Sequence, residues 1–404
     1  MPTITEHLEG LTLPAESAAA LGYRLPAEFE PVDAVWLTYP HNLDTWPRCF
    51  EEACKQYDHF IVQAKRFTKV NVIGKGRDFE WTTNDSWVRD YGPIFVVRES
   101  DQGTTGPSEQ GPNQKSKISN QKFPPLACHD FTFNGWGGKY DTDDYNPALD
   151  DVIPRFVARH MNIPIWTHDL ILEGGSIDVN GIGSLLTTKQ CLLNVNRNSK
   201  LTQPQIEAKI HAALGTRHII WLPGGIEGDD TDGHIDDVAR FIAKDTVASL
   251  RAPKENADHE MLENNWRALE QARDQDGNKL NLVALPVPEP MFYDYPPIGN
   301  DEGGHYQIPA SYANFLILND GVLVPVFGQK TDDVALRTLE EAMPGKRIVG
   351  VRAERLVVGF GALGGRGVRL QRPEPRRRVL HDLTTEPDQR AGLLGPGPDT
   401  RCTR

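Results

Sequence analysis

One short grammar recurs down this chain: a helix-length segment with one apolar face, followed within a few residues by an apolar run of strand length. In its first appearance an apolar strand, Pro31–Pro40, leads into a helix at Glu51–Phe67. There Phe60, Ile61, Ala64 and Phe67 share a face, and the strand Lys69–Ile73 follows. Next come the helix Val152–Met161 with the strand Ile163–Trp166, and the helix Pro204–Leu214, opened by its proline, with the strand His218–Pro223. The last two are Met261–Ala272 with Leu280–Pro286, and Val334–Met343 with Arg347–Val351. A chain written this way is α/β, and repetition of one unit at a broadly regular spacing suggests a radial array of five like modules.

Two segments break the grammar. Residues 99–122 are rich in Gly, Ser, Gln and Pro with almost no apolar side chains, which predicts a disordered surface insert. From Gly364 to Arg404 the text holds nine arginines, no lysine and five prolines. With five acids, that tail carries a net charge of +4 (nine less five), so the remainder of the chain carries −17 of the total −13. An abrupt change of this kind is what a displaced reading frame through G+C-rich DNA would write. The expected division is therefore one domain over residues 1–363 and a disordered tail over 364–404. If the last strand ends near Leu363, the final module is left with an unpaired edge, which is an aggregation liability.

The bulk charge argues against nucleic acid as the main partner and suits a small cationic ligand. No apolar run reaches membrane-spanning length, and the first residues lack the pattern of a secretory signal. Cys49, Cys54, Cys128, Cys191 and Cys402 form no CxxC pair, so free thiols in a reducing cytoplasm are expected.

Chemistry concentrates in turns framed by glycine and tryptophan. Asp90 lies in Asn84-Asp85-Ser86-Trp87-Val88-Arg89-Asp90-Tyr91-Gly92-Pro93, at an expected strand-to-loop transition. Glu173 precedes Gly174-Gly175, which let a backbone approach closely. His234 and Asp236 stand two apart, which on a strand puts both on one face. Each acid alone also reads as a local turn or ion-pair acid. A metal competes for His234 and Asp236, but no second histidine sits at ligand spacing, so a metal is not expected there. Together, paired carboxylates are a natural clamp for a planar guanidinium. A histidine can protonate a departing amine and then activate water. What this set lacks is a nucleophile, for which a thiolate fits best.

These motifs carry a resemblance. With Leu172-Glu173-Gly174-Gly175-Ser176-Ile177, Leu186–Asn198, Trp221–Gly225, Asp230–Asp236, Ser311–Phe315 and Val322–Gly328, the chain resembles the agmatine deiminase family. That family is allied to bacterial-type peptidylarginine deiminases within the guanidino-modifying pentein superfamily. The resemblance covers about Pro31 to Leu363 and implies a five-bladed α/β-propeller of pseudo-repeated ββαβ modules. It also implies hydrolysis of agmatine to N-carbamoylputrescine and ammonia, a step of putrescine and polyamine biosynthesis, without metal or cofactor. Position by position, Asp90 and Asp236 resemble the carboxylates that grip the guanidinium, His234 the general acid and base, and Glu173 the acid that orients it. Trp87 resembles an aromatic wall of the substrate pocket, where a cation can lie against the ring. A homodimer is plausible on the same ground. The family's nucleophile closes a Gly-rich stretch on His-Cys; here Gly364 and Gly365 stand at those two positions. That leaves three readings open: an agmatine deiminase interrupted at its nucleophile, a relative that binds guanidines without turnover, and a peptidyl-arginine deiminase. Cys191 reads as a buried structural thiol, and no other cysteine has a motif that would activate it.

Overall fold

The computed structural model describes residues 11–99, 123–139, 146–297 and 302–371. All of them belong to one unit that ends at Glu374. The expected insert, residues 100–122, and the tail beyond Gln371 lie outside the described residues.

The repeated grammar is borne out as repeated topology. Strand β1 (Val32–Thr38) passes through helix α1 (Phe50–Ala64) to a parallel neighbour, β2 (Lys69–Ile73). The second module is a hairpin of β3 (Ile94–Val97) and β4 (Leu126–Thr132), followed by helix α2 (Ile153–Met161) and β5 (Ile165–Ile171), parallel to β4. The third repeats this with β6 (Asp178–Val179), β7 (Ser184–Thr188), α3 (Gln203–Leu214) and β8 (His218–Leu222). The fourth uses β9 (Ala239–Ala243), β10 (Thr246–Arg251), α4 (His259–Gln271) and β11 (Asn281–Pro286). A two-stranded hairpin, β12 (Met291–Tyr295) with β13 (Gly304–Ile308), intervenes. The fifth module is β14 (Leu316–Ile317), β15 (Gly321–Val326), α5 (Lys330–Ala342) and β16 (Arg347–Arg352).

Each three-stranded sheet thus has one antiparallel and one parallel pair about its middle strand. The helices are crossovers, since a parallel pair cannot be joined by a tight turn. Each is positioned by the apolar stripe visible in its sequence; α1, for example, buries Ala53, Tyr57, Phe60, Ile61 and Ala64. The middle strands β7 and β15 carry nearly continuous buried runs, as strands covered on both faces must. No helix among the described residues is long and apolar enough to cross a membrane.

The expected boundary at Leu363 falls too early. Gly364–Arg366 makes a single 3₁₀ turn, and Gly367–Gln371 forms β17, antiparallel to β1 from Val32↔Gln371 to Leu37↔Gly367. The edge expected to lack a partner is therefore paired, and the first sheet reaches the same three-strand design as the others. The residue that ties this turn down is Arg366, fully buried. Its Nε donates to Ala362 O at 2.8 Å, Nη1 to Ser86 Oγ at 2.8 Å, and Nη2 to Leu356 O at 3.1 Å. The guanidinium carbon lies 3.9 Å from the ring centroid of Trp87, 5.0 Å from Trp46 and 5.5 Å from Tyr57. Cation–π attraction strengthens in such a desolvated cage, although burial still pulls the guanidinium down to about 10. Arg366→Ala removes a donor from the carbonyls of Ala362, Leu356 and Gly361 and from the Ser86 hydroxyl, and should cost about 2–4 kcal/mol of stability. Urea unfolding of this variant beside Arg347→Ala, at an exposed site, checks the assignment; equal midpoints for the two would refute it.

Candidate active site

Asp90 sits in a one-turn helix, Val88–Tyr91, that leads into β3 instead of closing a preceding strand. Directly opposite is the 3₁₀ turn Gly174–Ser176. A Cβ on Gly174 would lie 2.1 Å from Arg89 O, and one on Gly175 would lie 2.5 Å from His234 Nδ1 and 2.7 Å from Asp90 Oδ1. The two glycines after Glu173 are thus required by close approach, as the sequence suggested. Gly175 N donates to Asp90 Oδ1 at 2.9 Å, while Trp136 Nε1 donates to Asp90 Oδ2 at 3.0 Å.

His234 and Asp236 are not on a strand. They flank the start of a 3₁₀ turn, Ile235–Asp237, just before β9. The correction changes the geometry but not the convergence. His234 Nδ1 lies 3.7 Å from Asp90 Oδ1, and Asp236 Oδ2 lies 3.1 Å from Arg89 Nε. The H-x-D pair therefore grips the adjacent Arg89-Asp90 pair. The loop is fixed by Asp229, whose Oδ2 accepts from His234 N at 2.9 Å, and by Thr188, whose Oγ1 donates to Gly233 O at 2.5 Å.

Glu173 is held by a residue that sequence reasoning passed over. Arg197 Nε donates to Glu173 Oε1 at 2.6 Å, Nη1 to Asp232 Oδ2 at 2.7 Å, and Nη2 to Thr231 O at 3.0 Å. Both Arg197 and Glu173 side chains are fully buried. Arg197 and Trp136 lie in runs that were visible, Asn194–Asn198 and the Gly-flanked Gly135–Gly138. Their roles appear only once distant turns meet. Cys191 is the other late arrival: buried as expected, it comes to Glu173 and His234, with one ligand-capable atom of each within 4.8 Å of the others.

Asp90, Glu173, His234 and Asp236 are therefore brought together. Trp87 precedes the Val88–Tyr91 turn, and its ring lies beside Trp46 with Arg366 of the chain itself over it. Gly365 also faces that ring: an added Cβ would find Trp87 Cε3 at 3.6 Å as its nearest neighbour, an ordinary contact.

Desolvation sets the electrostatics. It pushes Asp90 well above the carboxylate range, with the charge of Asp236 adding to the effect. It raises Glu173 against the pull of Arg197, and holds His234 well below the usual imidazole value, neighbouring Arg197 and Arg89 reinforcing it. Asp236 is pushed up to about 6 by burial, against the pull of Arg89. Burial likewise raises the thiols of Cys49, Cys54, Cys128 and Cys191, so no described cysteine is an activated thiolate.

The chain matches the family of Porphyromonas-type peptidyl-arginine deiminases over residues 24–365. It is 33% identical over 365 residues to an agmatine deiminase of Medicago truncatula, covering 84% of this chain and 94% of that protein. It is 30% identical over 390 residues to an agmatine deiminase of Pseudomonas aeruginosa, covering 90% and 99%. Among solved structures, the agmatine deiminase of Enterococcus faecalis superposes with a TM-score of 0.77 at 28% identity, covering 89% of this chain and 99% of that one.

The value for Asp236 gives a signed test. The folded carboxyl keeps its proton up to about 6, whereas the unfolded one releases it near 3.8. Between those values the folded state binds more protons, so this group turns against folding as pH rises through the window. Asparagine does not titrate. The thermal midpoint of Asp236→Asn should therefore improve relative to the parent between about pH 4 and about pH 7; a gap that stays constant with pH contradicts the assignment.

Proposed function

The chain belongs to the Porphyromonas-type peptidyl-arginine deiminase family, and from that premise we propose that its site takes the guanidinium group of agmatine. The design is that of a hydrolase releasing ammonia and N-carbamoylputrescine. In this reading the five three-stranded sheets are the blades of a propeller, and the converging turns are its central site.

The observation that carries the reading is the state of the acids. Asp90 is buried beside Asp236 and Glu173, and its carboxyl resists ionisation while the like charges stand together. A planar cation placed between Asp90 and Asp236 would relieve that repulsion and donate paired hydrogen bonds to the two carboxylates. The binding free energy is then drawn from a site already strained by its own charge. His234, neutral in the buried site, is suited to receive the proton of an attacking group and pass it to the departing amine. Glu173, fixed by Arg197, orients it. The clamp would serve agmatine and a polypeptide arginine alike; the similarity to agmatine deiminases favours the small amine, whereas a polypeptide would also need an open cleft.

The covalent step needs a thiolate to attack the guanidinium carbon. Ammonia then leaves with a proton from His234, and water cleaves the resulting amidino-thioester. Gly365 offers no sulfur for this, so the chain as written binds guanidines without turning them over. Because a Cβ is accommodated at Gly365, Gly365→Cys is the direct test, read as ammonia released from agmatine. The parent should release none above background. Gly365→Cys should gain activity that disappears again when His234→Ala is added. Ammonia release by the parent would mean that another group is the nucleophile. An inert but folded Gly365→Cys, alone and with Gly364→His, would remove the hydrolase reading and leave guanidine binding to be judged by calorimetry.

A further inference from the structure

Three donors of different chemistry meet behind the acid cluster: Glu173 at the start of its 3₁₀ turn, Cys191 in the short helix Lys189–Leu192 after β7, and His234 before β9. One ligand atom from each lies within 4.8 Å of the other two. We infer that Glu173, Cys191 and His234 form a binding site for a soft divalent cation of the zinc class.

Two independent observations point to a ligand there. Glu173 and Cys191 are fully buried and His234 is 3% exposed, yet among the described residues Glu173 Oε2 and His234 Nε2 find no hydrogen-bond partner. Buried polar atoms are almost always satisfied, and an exception calls for an explanation such as an ion. The donor set is also selective. A thiolate, an imidazole and a carboxylate suit zinc and its softer relatives, whereas magnesium and calcium prefer oxygen alone. Donors around a tetrahedral zinc stand about 3.3–3.8 Å apart, from bond lengths of about 2.0–2.3 Å. Closing from 4.8 Å asks for side-chain shifts of about an ångström. Arg197 serves as an outer partner: it occupies Glu173 Oε1 at 2.6 Å and so turns the other oxygen free. Binding involves no change of oxidation state. The Cys191 thiol loses its proton to solvent as the sulfur–metal bond forms, and carboxylate and thiolate together balance the dication.

The cation and a guanidine oppose one another, since a cation on His234, whose Nδ1 lies 3.7 Å from Asp90, puts positive charge beside the acids that hold the guanidinium; this consequence rests on the function proposed above, while the cation site itself does not. Bound metal would thus weaken guanidine binding.

Cadmium, titrated into the intact metal-free chain, reports thiolate ligation by its ultraviolet charge-transfer band. One equivalent should give a saturating band. Cys191→Ser should abolish it, and His234→Asn should weaken affinity at least about tenfold, the lower end of what even outer-shell changes cost a metal site. A chain carrying Cys49→Ser, Cys54→Ser, Cys128→Ser and Cys402→Ser should keep it. No band in the folded parent, or a band unaltered by Cys191→Ser, overturns the inference. Agmatine should compete with cadmium. If the band behaves as expected but agmatine neither binds nor competes, the cation site stands and the guanidine reading falls.

Discussion

Burying like charge is the constraint on which the centre of this molecule depends. Asp90, Glu173 and Asp236 lie almost wholly out of water within one small region, a cost no core of apolar side chains could offset by packing alone. Two arginines make it tolerable. Arg197 is spent on Glu173 and Asp232, and Arg89 spans Asp236 and Glu28, the latter at 2.5 Å. Among the described residues no arginine or lysine pairs with Asp90; it is held by the neutral donors Gly175 N and Trp136 Nε1. The fold thus neutralises every acid of the group except the one that most needs a cation from outside.

The same network reaches into the support beneath the site. Glu28 also meets Arg240 and Arg369, and Asp178 accepts from Arg240 Nε at 2.7 Å and from Phe241 N at 2.9 Å. Burial drives the guanidinium of Arg369 well below its ordinary range, and the neighbouring Arg89 adds to the shift. Arg369 belongs to β17, so the stretch where the sequence changes character is inserted into the charge balance under Asp236. Its two described arginines do not remain in solvent, as composition alone would have them: Arg366 lies over the Trp87 ring, Arg369 pairs with Glu28, and β17, which carries Arg369, supplies the missing partner of β1.

This separates what the residues announced from what they withheld. The modules were legible because each crossover helix must show an apolar stripe and each parallel strand an apolar run, both local properties. Asp90, Glu173, His234 and Asp236 were legible because glycine and tryptophan crowd only where backbones nearly touch. Arg197, Trp136 and Glu28 were not, since their significance lies in contacts across 24, 46 and 61 residues of chain. The strand expected at His234–Asp236 failed for a related reason. Alternation over three residues fits a 3₁₀ turn as readily as a strand, and the turn wins because Asp229 and Thr231 accept from His234 N. The start of the tail was misjudged because β17 is held by pairing to β1, more than 300 residues earlier, which no composition reveals.

The segment from Gly359 to Arg366 is held by restraints that do not depend on the side chain at position 365. Asn314, at the entry to β14, fixes the backbone there: its Oδ1 accepts from Ala362 N at 3.2 Å and Gly364 N at 2.8 Å, and its own carbonyl accepts from Gly364 N at 2.9 Å. Arg366 then anchors the far side against Ser86 and the Trp87 ring. Neither restraint involves a side chain at position 365. The backbone is delivered to the edge of the pocket by the fifth sheet and the Trp87 turn, and a sulfur atom there would be a passenger on a position set by others. Catalytic geometry of this kind is pre-organised by the scaffold. On the function proposed above, a glycine at position 365 takes away only the covalent step, while the acids, the neutral histidine and their arginine supports stay as the fold built them.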